Sequence, residues 1–125
     1  ELRNSGFLPK LKKFIKKNVP FYGSSAGAVI IGRTIAHIEF SDPNEVKLKN
    51  LDAINLLGGR DIWPHYEPSQ DKEIQNYREK YNLDLIALPE NAGVFVTEKA
   101  IEVVGPGSAY LPNKKMKEVK PGQKI

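Results

Sequence analysis

Ser25 sits in Gly23-Ser24-Ser25-Ala26-Gly27, a G-x-S-x-G pattern with the aromatic pair Phe21-Tyr22 before it and the apolar run Val29-Ile30-Ile31 after it. A serine between a strand and a helix is lifted to the tip of a sharp turn. Small residues two before and two after it let the strand and helix approach each other. The hydroxyl of Ser25 would then be exposed, the following helix would point its N-terminus at the site, and the N–H of Ala26 would be an oxyanion donor. A phosphate-cradling loop is a competing reading, but the stretch lacks both the Gly-Lys-Ser/Thr of a P-loop and the G-x-G-x-x-G of a dinucleotide fold. A plain glycine-rich turn is the other.

A serine nucleophile needs a base, and the sequence holds two histidines. His65, in Ile62-Trp63-Pro64-His65-Tyr66, follows a strand-like segment and could stand at the same sheet end as Ser25. His37 lies in or just after the helix that follows the turn, and spacing alone favours His65 only moderately. The carboxylate that would orient the imidazole has five candidates: Glu39, Asp42, Asp61, Glu67 and Glu90. Glu90 directly follows the apolar run Leu85-Ile86-Ala87-Leu88 and Pro89, and functional groups of open α/β sheets gather beyond strand C-termini. A turn carboxylate capping Asn91 and Ala92 is the alternative for that residue.

The elements that must carry these groups can be read from periodicity. Phe7, Leu8, Leu11, Phe14 and Ile15 recur at helical spacing up to about Asn18, with lysines on the other face. A solvated lysine face is the commoner meaning of such a helix, a membrane-surface helix the rarer one. Phe21-Tyr22 reads as a short strand, residues 37–50 as a long loop with a turn at Ser41-Asp42-Pro43-Asn44, and residues 69–81 as a helix capped by Ser69. The run 84–88 reads as a strand buried on both faces, as in a parallel sheet. Val94-Phe95-Val96 and residues 100–104 flank Thr97-Glu98-Lys99 like a hairpin, and a lysine-rich tail ends the chain. The expected class is α/β, a mostly parallel sheet flanked by helices with a C-terminal β-hairpin extension.

Composition sets outer bounds. The 125 residues suit one domain or part of one. There is no apolar run long enough for a membrane span and no low-complexity tract. The absence of cysteine excludes disulfides, thiolate-bound zinc and a cysteine nucleophile, and it fits a cytoplasmic setting. The net charge of +4 comes from two lysine groups near the ends, whereas residues 18–113 carry 8 basic against 13 acidic side chains. No single basic face spans the chain, so neither a nucleic acid nor a membrane is expected as partner.

Taken in order, G-S-S-A-G-A, I-W-P-H-Y and A-L-P-E-N resemble the dipeptidase E and cyanophycinase-like family of serine peptidases. The resemblance runs along nearly the whole chain and includes Leu51 to Leu57 and the G-P-G-S-A-Y stretch near the end. It implies a class I glutamine amidotransferase-like fold and a Ser-His-Glu triad of Ser25 as nucleophile, His65 as base and Glu90 as acid. It also implies a further acid in the loop after the turn helix, matched by Glu39 or Asp42. No metal or cofactor is implied.

Aspartyl dipeptidases carry an arginine after the P-H pair, where Gln70 stands here. A neutral amide cannot make the bidentate charged pair with a substrate carboxylate, so strict specificity for N-terminal Asp is not expected. Relatives also have a glycine-rich turn, giving a second oxyanion donor, on a strand ahead of the helix with which this sequence opens. Glu1-Leu2-Arg3-Asn4-Ser5-Gly6 reads as the end of a preceding helix. The expectation is therefore a single α/β unit over residues 1–125 that forms the C-terminal part of a domain of roughly 200 residues. An N-terminal piece or a second chain would complete the sheet, and a homodimer is another arrangement.

Two functions from different classes follow. The first is a serine peptidase that hydrolyses short peptides through an acyl-enzyme, with a small peptide as its partner. The second is a binding domain, non-catalytic or amidotransferase-like, that retains the fold.

Overall fold

The computed structural model describes residues 5–40, 43–45 and 47–125. Asp42 and the turn read at 41–44 thus lie wholly or partly outside the described residues. Four strands make one sheet in the order β1 (Asp61–Pro64), β2 (Leu85–Leu88), β5 (Ala109–Leu111), β6 (Lys117–Val119). β3 (Gly93–Val96) and β4 (Ile101–Val104) form a separate antiparallel pair in which Gly93 faces Val104 and Val96 faces Ile101. The helices are α1 (Phe7–Lys16), the single turn α2 (Ala26–Val29) and α3 (Asp71–Tyr81), with 3-10 turns at Ala36–Phe40 and Pro68–Gln70.

β2 explains the architecture. All four of its residues are buried, as a continuous apolar run requires, and their side chains alternate between two cores. Leu85 and Ala87 face a cluster with Trp63, Tyr66, Ile74, Tyr77 and Leu83, which α3 and the 36–40 turn cover. Ile86 and Leu88 face the other way, into a cluster with Ile62, Leu57, Ile101, Val103, Ala109 and Val119. The β3–β4 pair closes that second face. The result is a mixed α/β fold with a core on each side of the sheet.

Several expectations change. The sheet is not mostly parallel: β1 and β2 pair in parallel, but β2–β5 and β5–β6 are antiparallel. Burial on both faces gave β2 its apolar run, and burial does not fix the direction of a neighbour. Phe21-Tyr22 pairs with no strand among the described residues. The lysine-rich end is not a mere tail, because Lys117–Val119 is a strand of which Val119 alone is buried. Ser69 does not cap the helix. Glu67 caps the 3-10 turn instead, in a reciprocal box where Gln70 Oε1 accepts the Glu67 N–H at 2.9 Å. α1 buries only Leu11, while Phe7 and Phe14 stay exposed with the lysines.

Candidate active site

The register of β1 on β2 sets two candidate groups side by side. Pro64 lies opposite Leu88, and each strand is followed within two residues by one of them, His65 after Pro64 and Glu90 after Leu88-Pro89. Parallel strands end at the same edge, so both side chains project from one end of the sheet. His65 has φ 56°, an uncommon conformation for a residue with a side chain. The chain stays tied to β2 just beyond it, as Tyr66 N–H donates to the Leu88 carbonyl at 3.0 Å. Tyr66 in turn donates its hydroxyl to Asp71 Oδ1 at 2.7 Å, tying the start of α3 to the end of β1. Burial, with Asp71 beside it, pushes the Tyr66 hydroxyl far up, so it remains a donor.

Ser25 comes from a different part of the chain and stands in strained backbone, φ 49° and ψ −121°. Hydrogen bonds fold the chain tightly around it, with Gly27 N–H to the Ser24 carbonyl at 2.8 Å and Ala28 N–H to the Ser25 carbonyl at 2.9 Å. The crowding is one-sided. A Cβ on Gly23 would lie 2.3 Å from the Gly27 carbonyl oxygen, whereas a Cβ on Gly27 would meet nothing within 4 Å. Only the first glycine of the pattern is required sterically.

Ser25 Oγ lies 2.9 Å from His65 Nε2, and His65 Nδ1 contacts Glu90 Oε1. The three side chains form a hydrogen-bonded chain, although 40 residues separate the first two and 25 the last two. With Nδ1–H donated to the carboxylate, Nε2 presents a lone pair to the serine hydroxyl, the tautomer a general base needs. The group is open to solvent, with the His65 side chain 53% and that of Glu90 79% exposed. Ala26 opens α2, so its N–H is one of those that no intrahelical carbonyl can accept.

A buried carboxylate docks the Ser25 segment on the sheet. Asp61, the first residue of β1, is fully buried. It accepts the Thr34 N–H at 2.7 Å on one oxygen and the Tyr77 hydroxyl at 2.7 Å on the other. Burial raises its pKa, and the two hydrogen bonds oppose that rise. Gly32 must be glycine here, because a Cβ would stand 2.9 Å from Asp61 Oδ1. In the sequence Asp61 is only one of five candidates for the orienting acid. Its structural role could not be read from the sequence, because both partners are remote in the chain.

The other candidates lie elsewhere. His37 is buried, stacked on Trp63 with ring centroids 5.3 Å apart, and neither ring nitrogen has a hydrogen-bond partner among the described residues. Glu39 accepts the Tyr81 hydroxyl at 3.4 Å, which places it at the last turn of α3, at the other end of that helix from Tyr66 and Asp71. Glu67 and Gln70 bond each other in the capping box, leaving the Gln70 amide nitrogen as its free donor group. Among the described residues no cluster of three His, Asp or Glu could hold a metal ion, and no helix is long and apolar enough to cross a membrane.

Comparison with known proteins places the chain in a family. The model of peptidase family S51 matches residues 1–104. An uncharacterized peptidase of Listeria monocytogenes is 37% identical over 76 residues, covering 59% of this chain and 37% of the relative. The crystal structure of a Listeria monocytogenes protein assigned as a peptidase E superposes with a TM-score of 0.69 at 26% identity, over 83% of this chain and 52% of that one. The chain thus spans little more than a third of the curated relative and about half of the solved structure. Matched over most of its length, the chain belongs to peptidase family S51.

Proposed function

We propose that the protein is a serine peptidase acting on short peptides, with Ser25 as nucleophile, His65 as general base and Glu90 as the acid that orients it. The observation that carries this reading is the continuous hydrogen-bonded chain from Ser25 through His65 to Glu90, built on a strained turn. His65 Nε2 takes the Ser25 proton as Oγ attacks the peptide carbonyl, and the developing oxyanion turns toward the Ala26 N–H. The imidazolium returns that proton to the leaving amine, and the acyl-serine forms. Water then attacks the acyl group with His65 again as base, releasing the acid and restoring Ser25. Glu90 keeps Nδ1 protonated throughout and balances the imidazolium.

Gln70 would meet the substrate through its amide nitrogen, a neutral donor, so the preference extends beyond N-terminal aspartate. A further part of the protein, a second chain or a second copy would supply the second oxyanion donor and cover the apolar surface around α1. A binding domain without turnover is the second reading, favoured by the solvent exposure of His65 and Glu90. The two separate in one experiment on the full-length protein. Dipeptides with varied first residues are screened for hydrolysis, and a fluorophosphonate is used to label the serine. The peptidase reading expects turnover and labelling that both vanish in Ser25→Ala. Peptide binding without turnover, unchanged in that variant, would establish the binding domain.

A further inference from the structure

Glu90 is held in place by its backbone rather than by packing, since its side chain is largely exposed. The turn that carries it, Pro89–Ala92, closes with the Ala92 N–H on the Pro89 carbonyl at 3.1 Å. Against this turn lies the loop leaving β4, Gly105-Pro106-Gly107. The Gly107 N–H donates to the Asn91 carbonyl at 2.9 Å. Gly105 has φ +95°, and a Cβ on it would stand 2.8 Å from that same carbonyl oxygen. A Cβ on Gly107 would stand 2.1 Å from Asn91 Oδ1 and 2.6 Å from its Cγ. Residue 91 is therefore seated, by backbone and side chain, in a notch that two glycines leave open. His65 is held differently, through the pairing of β1 on β2. That pairing also brings Glu90 to the same sheet end, and the notch around Asn91 is a second anchor that acts on the Glu90 side alone.

We propose that Gly105, Gly107 and Asn91 are positioning residues for the peptidase reaction. They fix the 89–92 turn so that the Glu90 carboxylate meets His65 Nδ1. The inference rests on the reading of Ser25, His65 and Glu90 given above. Gly105 is the sharper test of the two glycines, because its neighbour is a backbone oxygen that cannot rotate away, and its positive φ resists any L side chain. At Gly107 the neighbour is a side chain that can swing aside.

The experiment is fluorophosphonate labelling of the full-length protein, with the maximal rate separated from the half-saturating concentration. Gly105→Ala is expected to lower the maximal rate by about ten- to a hundredfold and leave the half-saturating concentration unchanged, as for a catalytic group misplaced by about 1 Å. Glu90→Gln should lower the rate as well. The double variant should be no slower than Glu90→Gln alone, because a residue acting through Glu90 has nothing left to act on. Wild-type labelling by folded Gly105→Ala overturns the inference, as does a double variant that loses both factors in full. Wild-type labelling by Glu90→Gln would sink the triad reading itself, and the inference with it. If Gly105→Ala cannot be obtained folded, Asn91→Gly gives the same readout, and an unaltered maximal rate in that variant overturns the proposal.

Discussion

His37 shows how one side chain can make a fold sensitive to acid. It is buried between Trp63 and Tyr77, with both ring nitrogens unpartnered among the described residues, and burial lowers its pKa to about 4 from an ordinary 6.5. Because the unfolded chain takes up this proton near pH 6.5 and the folded one does not, stability declines as pH falls from about 6.5 to about 4. Below that the loss levels off, at about 3 kcal/mol in all. His37→Phe keeps the stacking and removes the titration. Its melting temperature should therefore fall less than the wild type's across that window, whereas parallel melting curves would refute the account. At this scale the sequence was partly legible. Ser25 stands out by its G-x-S-x-G pattern, whereas position after a strand-like run favours His65 only moderately and leaves Glu90 open to a turn role, so only the resemblance of the three motifs taken in order joins them. His37 and Asp61 could not be assigned, since a histidine or aspartate reads the same whether buried or exposed until its remote neighbours are known.

The Ser25 turn is the element whose sequence pattern says more than its sterics require. Gly23→Ala would drive a Cβ into the Gly27 carbonyl, a backbone atom, so the turn must open. Labelling of Ser25 should fall by roughly 100-fold as the hydroxyl shifts by about 1 Å from His65. Gly27→Ala meets open space inside α2 and should label normally, with stability raised by roughly 0.5–1 kcal/mol from the better helix former. Equal losses in the two variants would show that this packing is misunderstood. Helix α3 and the β3–β4 pair were readable from period and turn residues, because their partners are close in sequence. β6 was hidden because two of its three residues are charged and only Val119 is buried. The Phe21-Tyr22 segment misled in the opposite direction: its residues favour a strand, but a strand exists only where a neighbour pairs with it.

Over the whole molecule, exposed apolar side chains concentrate at the start of the described chain. Phe7, Phe14, Val19 and Phe21 are exposed, and Tyr22 is 89% exposed three residues from Ser25. Such a concentration marks an interaction surface. Residues 1–125 alone are expected to bind a hydrophobic dye and to sediment above the monomer mass, and Phe14→Lys with Tyr22→Ser should reduce both. Weak dye binding and a monomer mass in the unaltered chain would argue that nothing covers this surface. The same whole-molecule view gives Trp63 a use beyond packing. It is the sole tryptophan, it lies in the strand that leads to His65, and it is stacked on the turn that follows the Ser25 segment. Its fluorescence therefore reports the docking of that segment on the sheet, so one optical signal can tell loosening of the nucleophile's support from collapse of the entire fold.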